Sequence, residues 1–94
     1  MLTYKAMYQF VDGGVHAEVL DFPGVITCAE SLPEAKRLLA SALVDMAETC
    51  LLQGEPLPTP NPSCTHPEAD LEEPIHLLLM AASRVNVVPE AAAA

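Results

Sequence analysis

Residues 55–74 constrain the fold more than any other stretch, because six of these twenty residues are prolines. Proline lacks a backbone N–H and fixes φ, so a helix or a central strand is excluded here. The same stretch holds five acids and neither lysine nor arginine. It is therefore predicted to be an extended, partly polyproline-like linker that lies across the surface.

The part of the chain before this linker has the pattern of a three-stranded antiparallel meander. Alternation over residues 2–10 gives a first strand with one apolar and one more polar face. Asp12-Gly13-Gly14 has the chemistry of a tight hairpin turn, and a second strand follows over residues 15–20. After the turn Asp21-Phe22-Pro23-Gly24, residues 25–30 are predicted to form the third strand.

A long helix is predicted over residues 32–53. Ser31 can accept the backbone N–H of Glu34, and Pro33 lies in the first turn, where its missing N–H costs nothing. Apolar residues then recur at spacings of three and four, which is typical of a helix with one buried face. Gly54 supplies a left-handed C-cap. Residues 1–54 are therefore predicted to form a β-β-β-α core.

Residues 75–94 are predicted to add a fourth strand and a β-prone tail. The apolar run from Ile75 to Ala82 is interpreted as a strand, because buried strands need not alternate. A helix is the open alternative for residues 75–82, because leucine, methionine and alanine all favour helices. Arg84-Val85-Asn86-Val87-Val88 is short and β-prone. The predicted fold class is α+β, with the meander packed on one helix and a later strand added to the sheet.

The charge balance limits the kinds of partner. Thirteen acids against four bases give a net charge of −9, whereas nucleic-acid phosphates are bound by clustered lysine and arginine. DNA is therefore not expected as a partner of this chain alone, and a basic partner suits it better.

The cysteines and the hydropathy pattern indicate a soluble, cytoplasmic protein. Cys28, Cys50 and Cys64 match neither a disulfide framework nor a zinc pattern, so free thiols are expected. Cys28 and Cys50 stand at apolar-pattern positions and are predicted to be small core residues. The longest apolar run, residues 77–82, is far shorter than the ~20 residues of a membrane span, and no secretory signal pattern is present.

After a tyrosine-bearing first strand, the turn, strand and helix signals follow in a definite order. They are Asp12-Gly13-Gly14, Ala17-Glu18-Val19, Asp21-Phe22-Pro23-Gly24, Thr27, Ser31, Glu34-Ala35, Leu38, Leu39, Ala42, Leu43 and Gly54-Glu55-Pro56-Leu57-Pro58. In this order and spacing the chain resembles the HicB family of antitoxins and its stand-alone relatives over residues 3–60. The resemblance implies a β-β-β-α-β unit described as a partial RNase H fold.

The resemblance also implies a function. HicB-like domains neutralise HicA, a small basic toxin that cleaves mRNA, and full-length members add a C-terminal domain that binds operator DNA. Residues 84–87, followed by Pro89-Glu90-Ala91, are similar to the start of a ribbon-helix-helix strand. The two helices that should follow are missing. Contact with DNA through Arg84 and Asn86 is thus a third hypothesis, opposed by the net charge.

Partner binding is expected to fall on acidic residues, with one aromatic contact that slows dissociation. The candidate residues are Glu18, Asp21, Phe22, Glu30, Asp70, Glu72 and Glu73. For each acid the alternative is ordinary surface solvation. A second hypothesis is a homo-oligomer without a toxin, because the third strand or the run Ile75 to Ala82 leaves an unpaired edge. Symmetric pairing would cover that edge in a homodimer or homotetramer.

No catalytic, cofactor-binding or metal-ligating residue is predicted, so the chain is expected not to be an enzyme. The acids considered for a two-metal nuclease are Asp12, Glu18, Asp21, Glu30 and Glu34. Such a site needs acids within about 4 Å of shared ions, whereas Asp12 and Asp21 lie in turns about 15–20 Å apart. The histidines are too scattered for a metal site, and Cys64 has no scaffold that would make it a nucleophile.

Overall fold

The computed structural model describes residues 1–79. Its elements in chain order are β1 (Leu2–Val11), β2 (Gly14–Val19), β3 (Ile26–Ala29), α1 (Leu32–Leu52) and β4 (Leu71–Leu77). The strands form one antiparallel sheet of order β3-β2-β1-β4, with α1 packed on one face. The predicted α+β fold, with a meander, one long helix and a later strand, is confirmed.

Two glycines allow the meander to turn tightly. Gly13 has φ +83° in the turn between β1 and β2, a conformation that side chains disfavour. Gly14 begins β2, and a Cβ atom there would lie 2.5 Å from the carbonyl oxygen of Ala29 on β3. The second glycine is therefore required by a close approach between two strands and not by its own φ.

The core lies between α1 and the inner face of the sheet, which is the face that contacts the helix. Alternate residues of β1 and β2 meet helix residues spaced by four, as both periodicities require. The buried core residues are Tyr4, Ala6, Tyr8, Val15, Ala17, Val19, Phe22, Val25, Ala35, Leu39, Leu43, Ala47 and Leu77. Burial of each large apolar side chain contributes about 1.5–3 kcal/mol, so this layer holds the helix on the sheet.

The helix begins where the sequence predicts. Ser31 adopts an extended backbone conformation, and its Oγ accepts the N–H of Glu34 at 3.4 Å. The helix ends at Leu52, and Gly54 follows with φ +71°, which satisfies the left-handed conformation expected after the C-terminus.

The fourth strand lies earlier than predicted. It spans Leu71–Leu77 instead of starting at Ile75, and it pairs with β1. Its inner-face residues alternate with Glu72 and Pro74, a pattern hidden by the density of prolines before it. Proline is tolerated because β4 is an edge strand. Leu78 and Leu79 follow β4 outside any helix or strand, whereas residues 80–82 and 84–88 lie outside the described residues.

Candidate functional site

The outer face of the sheet, opposite to α1, carries most of the polar chemistry. Strand register places Met7 of β1 between Glu18 of β2 and Glu72 of β4. Lys5 and Gln9 stand on either side of Met7 along the same strand. Although Met7 lies on this face, it is fully buried.

Residues 58–70, which we call the strap, bond to the residues on both sides of Met7 along β1. Asp70 donates its backbone N–H to the carbonyl of Tyr8 at 2.9 Å, where the strap joins the sheet. Gln9 Nε2 donates to Glu68 Oε2 at 3.3 Å, and Lys5 bonds to an earlier part of the strap. This part of the Pro-rich segment thus lies across the outer face, whereas residues 71–74, which were predicted as part of the linker, belong to β4.

One buried carboxylate attaches the strap to the sheet. Asp21 Oδ1 accepts the backbone N–H of Lys5 at 2.9 Å, and its Oδ2 accepts the backbone N–H of Asn61 at 2.8 Å. Asp21 is only 8% exposed. These two amides lie far apart in sequence. The Asp21 carboxylate therefore links β1, the β2–β3 turn and the strap to one another.

Two side chains of β1 bind strap carbonyls. Lys5 Nζ donates to the carbonyl oxygens of Pro62 and Cys64 at 2.8 and 2.7 Å. Tyr4 donates its hydroxyl to the carbonyl of Pro58 at 2.7 Å. Residues 58–70 belong to no helix or strand that would supply donors to these carbonyls, so side chains of β1 supply them.

Carboxylates surround the strap on the outer face. Glu18 lies 2.9 Å from His16 Nε2, and Glu72 Oε1 accepts the backbone N–H of His66 at 3.3 Å. Asp70 Oδ2 accepts the N–H of Phe10 at 2.7 Å. Each carboxylate retains oxygen lone pairs that can accept further hydrogen bonds from a partner.

Within residues 1–79, no lysine or arginine neutralises these outer-face acids. Lys5 is the cation on this face, and its Nζ is directed at backbone carbonyls. The other two cations pair on the helix side, Lys36 with Glu73 at 3.2 Å and Arg37 with Glu34 at 3.6 Å. The outer face therefore carries an excess of negative charge that attracts cations.

Asp21 and Phe22 lie in the interior and not on a contact surface. Phe22 is 1% exposed and packs edge-on against Tyr4, with ring centroids 5.3 Å apart. The two oxygens of Asp21 accept the backbone amides described above. Burial removes both residues from the set predicted to contact a partner.

The other predicted residues divide between two sides of the sheet. Glu18, Asp70 and Glu72 belong to the outer-face region, and Glu30 is exposed just beyond β3. Glu73 points to the helix side, where it pairs with Lys36. Glu68 is not among the residues predicted to contact a partner, although its place among the acids of the Pro-rich segment was the available signal.

The pairing of Glu73 also affects a core tyrosine. Burial raises the pKa of Tyr8 to about 12, and the negative charge and hydrogen bonding of Glu73 add to that effect. Lys36 Nζ stands 5.8 Å from the centroid of the same ring. Burial, and then the charge of Asp21, also raise the pKa of Tyr4. Both hydroxyls stay protonated at neutral pH and can donate hydrogen bonds.

The histidine and cysteine positions refine the predictions. His16 contacts Glu18 because residues two apart share a face of a strand. Cys28 is exposed on β3 and not a core residue as predicted, because its side chain points to the outer face, while Cys50 is half-buried. In the part of the chain that the structure describes, no three His, Cys, Asp or Glu side chains group as metal ligands.

An apolar groove lies between the helix and the last described residues of the chain. The C-terminal half of α1 and the end of β4 form it with Val44, Ala47, Glu48, Leu51, Leu77, Leu78 and Leu79.

Among residues 1–79, no helix meets the length and hydrophobicity requirements of a membrane-spanning segment.

A search against protein-family models finds no match for the chain, and a search of curated proteins finds none either.

Proposed function

We propose that the chain is a HicB-like inhibitor that acts in the cytoplasm and neutralises a small basic, mRNA-cleaving toxin of the HicA type. It acts by binding and has no catalytic role. The observation that carries the proposal is the group of outer-face carboxylates of Glu18, Glu68 and Glu72, which lack a lysine or arginine partner within residues 1–79. The β-β-β-α-β order of elements is what the HicB-like resemblance leads one to expect.

The chain would inhibit the toxin by taking the place of RNA on the toxin's RNA-binding surface. A ribonuclease that binds RNA presents a basic surface for phosphates, and carboxylates on a sheet can occupy that surface instead. Long-range attraction raises the association rate, and salt weakens it. Because Met7 beneath the strap is buried, short-range contacts would come from the strap itself, whose exposed residues include Pro62 and Thr65.

The test begins with capture of a partner by the tagged full chain at low salt. We expect a stoichiometric small basic protein that cleaves RNA, and we expect added chain to stop the cleavage. Replacing Glu18, Glu68 and Glu72 together by Gln should weaken inhibition by about tenfold or more, since several charge contacts are lost.

A matched variant controls for net charge. Asp45→Asn, Glu48→Gln and Glu55→Gln remove the same charge from exposed positions on and just after α1, and they should leave inhibition nearly unchanged. Absence of a basic partner, or equal effects of the two triple variants, would contradict the proposal.

A homo-oligomer without a toxin is the second candidate function. The observation that favours it is the exposed apolar surface, which includes Ile26 on β3 and Leu51, Leu78 and Leu79 at the groove. In that case the full chain would associate with itself and capture no basic protein.

A further inference from the structure

The two edges of the sheet differ in their free backbone groups. Val19 donates its N–H to the carbonyl of Val25 at 2.9 Å. In an antiparallel pair of strands, hydrogen-bonded and non-hydrogen-bonded residue pairs alternate. Thr27 and Ala29 therefore also bond to β2, while the backbone groups of Ile26 and Cys28 point away from it. Among residues 1–79 no strand lies beyond β3. This edge offers donors and acceptors to another strand.

The β4 edge is blocked against the same use. Leu20 donates its N–H to the carbonyl of Lys5 at 2.9 Å, so the backbone of Lys5 faces β2. Its partner on β4 is Pro74, and the Pro74 nitrogen therefore faces the free edge. A proline there removes a donor, which is a common way to prevent strand addition.

The β3 edge carries no such protection. Its residues, Ile26–Ala29, include no charge and no proline. The β-branched side chain of Ile26 is 55% exposed, and Cys28 beside it is also exposed on the outer face. An open edge with an exposed β-branched residue favours pairing with another strand.

We propose that β3 pairs in antiparallel orientation with β3 of a second copy, which joins the two sheets into one. Pairing about a twofold axis satisfies the same outward groups on both copies. Because Ile26–Ala29 carries no charge, two copies of this strand can pair without like charges lying opposite each other. The pairing is independent of the proposed function, and it leaves the outer-face carboxylates of Glu18, Glu68 and Glu72 accessible on each copy.

The experiment measures self-association of the full chain by sedimentation over a wide concentration range. We expect a dimer in which the amide protons of Ile26 and Cys28 exchange slowly, although they lie on the edge of the isolated sheet. Ile26→Lys should weaken dimerisation by about tenfold or more, because pairing would remove water from the charged lysine side chain.

Leu51→Lys is the matched control, since Leu51 is 54% exposed but lies in the apolar groove. It should leave the dimer intact. Cys28→Pro is a second variant that removes an outward N–H without disturbing the bonds to β2, and it should also dissociate the dimer. A chain that stays monomeric, rapid exchange at Ile26 and Cys28, or dissociation by Leu51→Lys alone would overturn the proposal.

Discussion

The two faces of the sheet are covered in different ways. The inner face meets α1 through apolar side chains such as Leu39 and Leu43, and its stabilisation is spread over many contacts. The outer face meets the strap through a few hydrogen bonds donated by Lys5 and Gln9. Tyr4, from the inner face, and the carboxylate of Asp21 bind the beginning of the strap. A regular helix satisfies its own backbone, whereas a Pro-rich segment depends on donors and acceptors elsewhere. The inner cover should therefore resist single polar substitutions that loosen the outer one.

The largest expected effect lies on the inner face. Leu39→Ala should lower the free energy of unfolding by about 2–5 kcal/mol, because it leaves a cavity at a fully buried site. Urea denaturation followed by circular dichroism measures the change. Leu52→Ala, at a residue 89% exposed, is the control and should change stability by less than about 0.5 kcal/mol. Similar losses in the two variants would mean that α1 is not held by this layer.

The next effect tests the strap. Asp21→Ala leaves the amides of Lys5 and Asn61 without their acceptor, which should cost about 1–3 kcal/mol. Amide exchange should accelerate at Asn61 more than in the middle of α1. Asp45→Ala, at an exposed helix position, is the control. If exchange at Asn61 stays as slow as in the unaltered chain, Asp21 does not hold the strap.

The third prediction concerns alkaline pH. The folded state raises the pKa of Tyr8 to about 12 from its ordinary value of 10.0, so it favours the neutral hydroxyl. The resulting stabilisation is present below pH 10 and is lost as the pH rises towards 12, by up to about 1.4 kcal/mol per pH unit. Tyr8→Phe should reduce this loss when unfolding is compared at pH 9 and about pH 11. An identical pH dependence in the variant would refute the assignment.

The smallest expected effect separates packing from hydrogen bonding at Tyr4, an inner-face residue of β1 that also binds the strap. Tyr4→Phe keeps the edge-on contact with Phe22 but removes the donor to the Pro58 carbonyl. Stability should fall by about 0.5–1.5 kcal/mol, in the range of one hydrogen bond. Phe22→Leu removes the aromatic contact and keeps the hydrogen bond. Thermal unfolding of the two variants shows which interaction at Tyr4 contributes more.

Local patterns predicted most of the fold. Alternation in β1, the hairpin glycines and the cap at Ser31 act over short sequence distances, and the structure agrees with them. The start of β4 was missed because its alternation begins inside a segment dominated by prolines. There, edge position decides whether Pro74 is tolerated, and a single sequence does not reveal edge position.

The candidate site was harder to predict because its contacts are non-local. Asp21 and Phe22 stand in a turn, where exposure is usual, but Asn61 of the strap binds the first and Tyr4 of β1 packs on the second. Met7 is buried on the more polar face of its strand for the same reason. The composition predicts the net negative charge of the chain. It does not predict which carboxylates accept hydrogen bonds within the fold, because that depends on where the strap lies.

The most direct test of the account is the affinity of the captured basic protein for the full chain over a series of salt concentrations. If the partner binds through the outer-face carboxylates, its affinity should fall steeply with salt, and the dependence should be much flatter after Glu18, Glu68 and Glu72 are replaced by Gln. The variant with Asp45, Glu48 and Glu55 neutralised should keep the steep dependence. Binding through the outer face would be contradicted by an affinity that does not change with salt. It would also be contradicted if only the variant with Asp45, Glu48 and Glu55 neutralised changed the affinity.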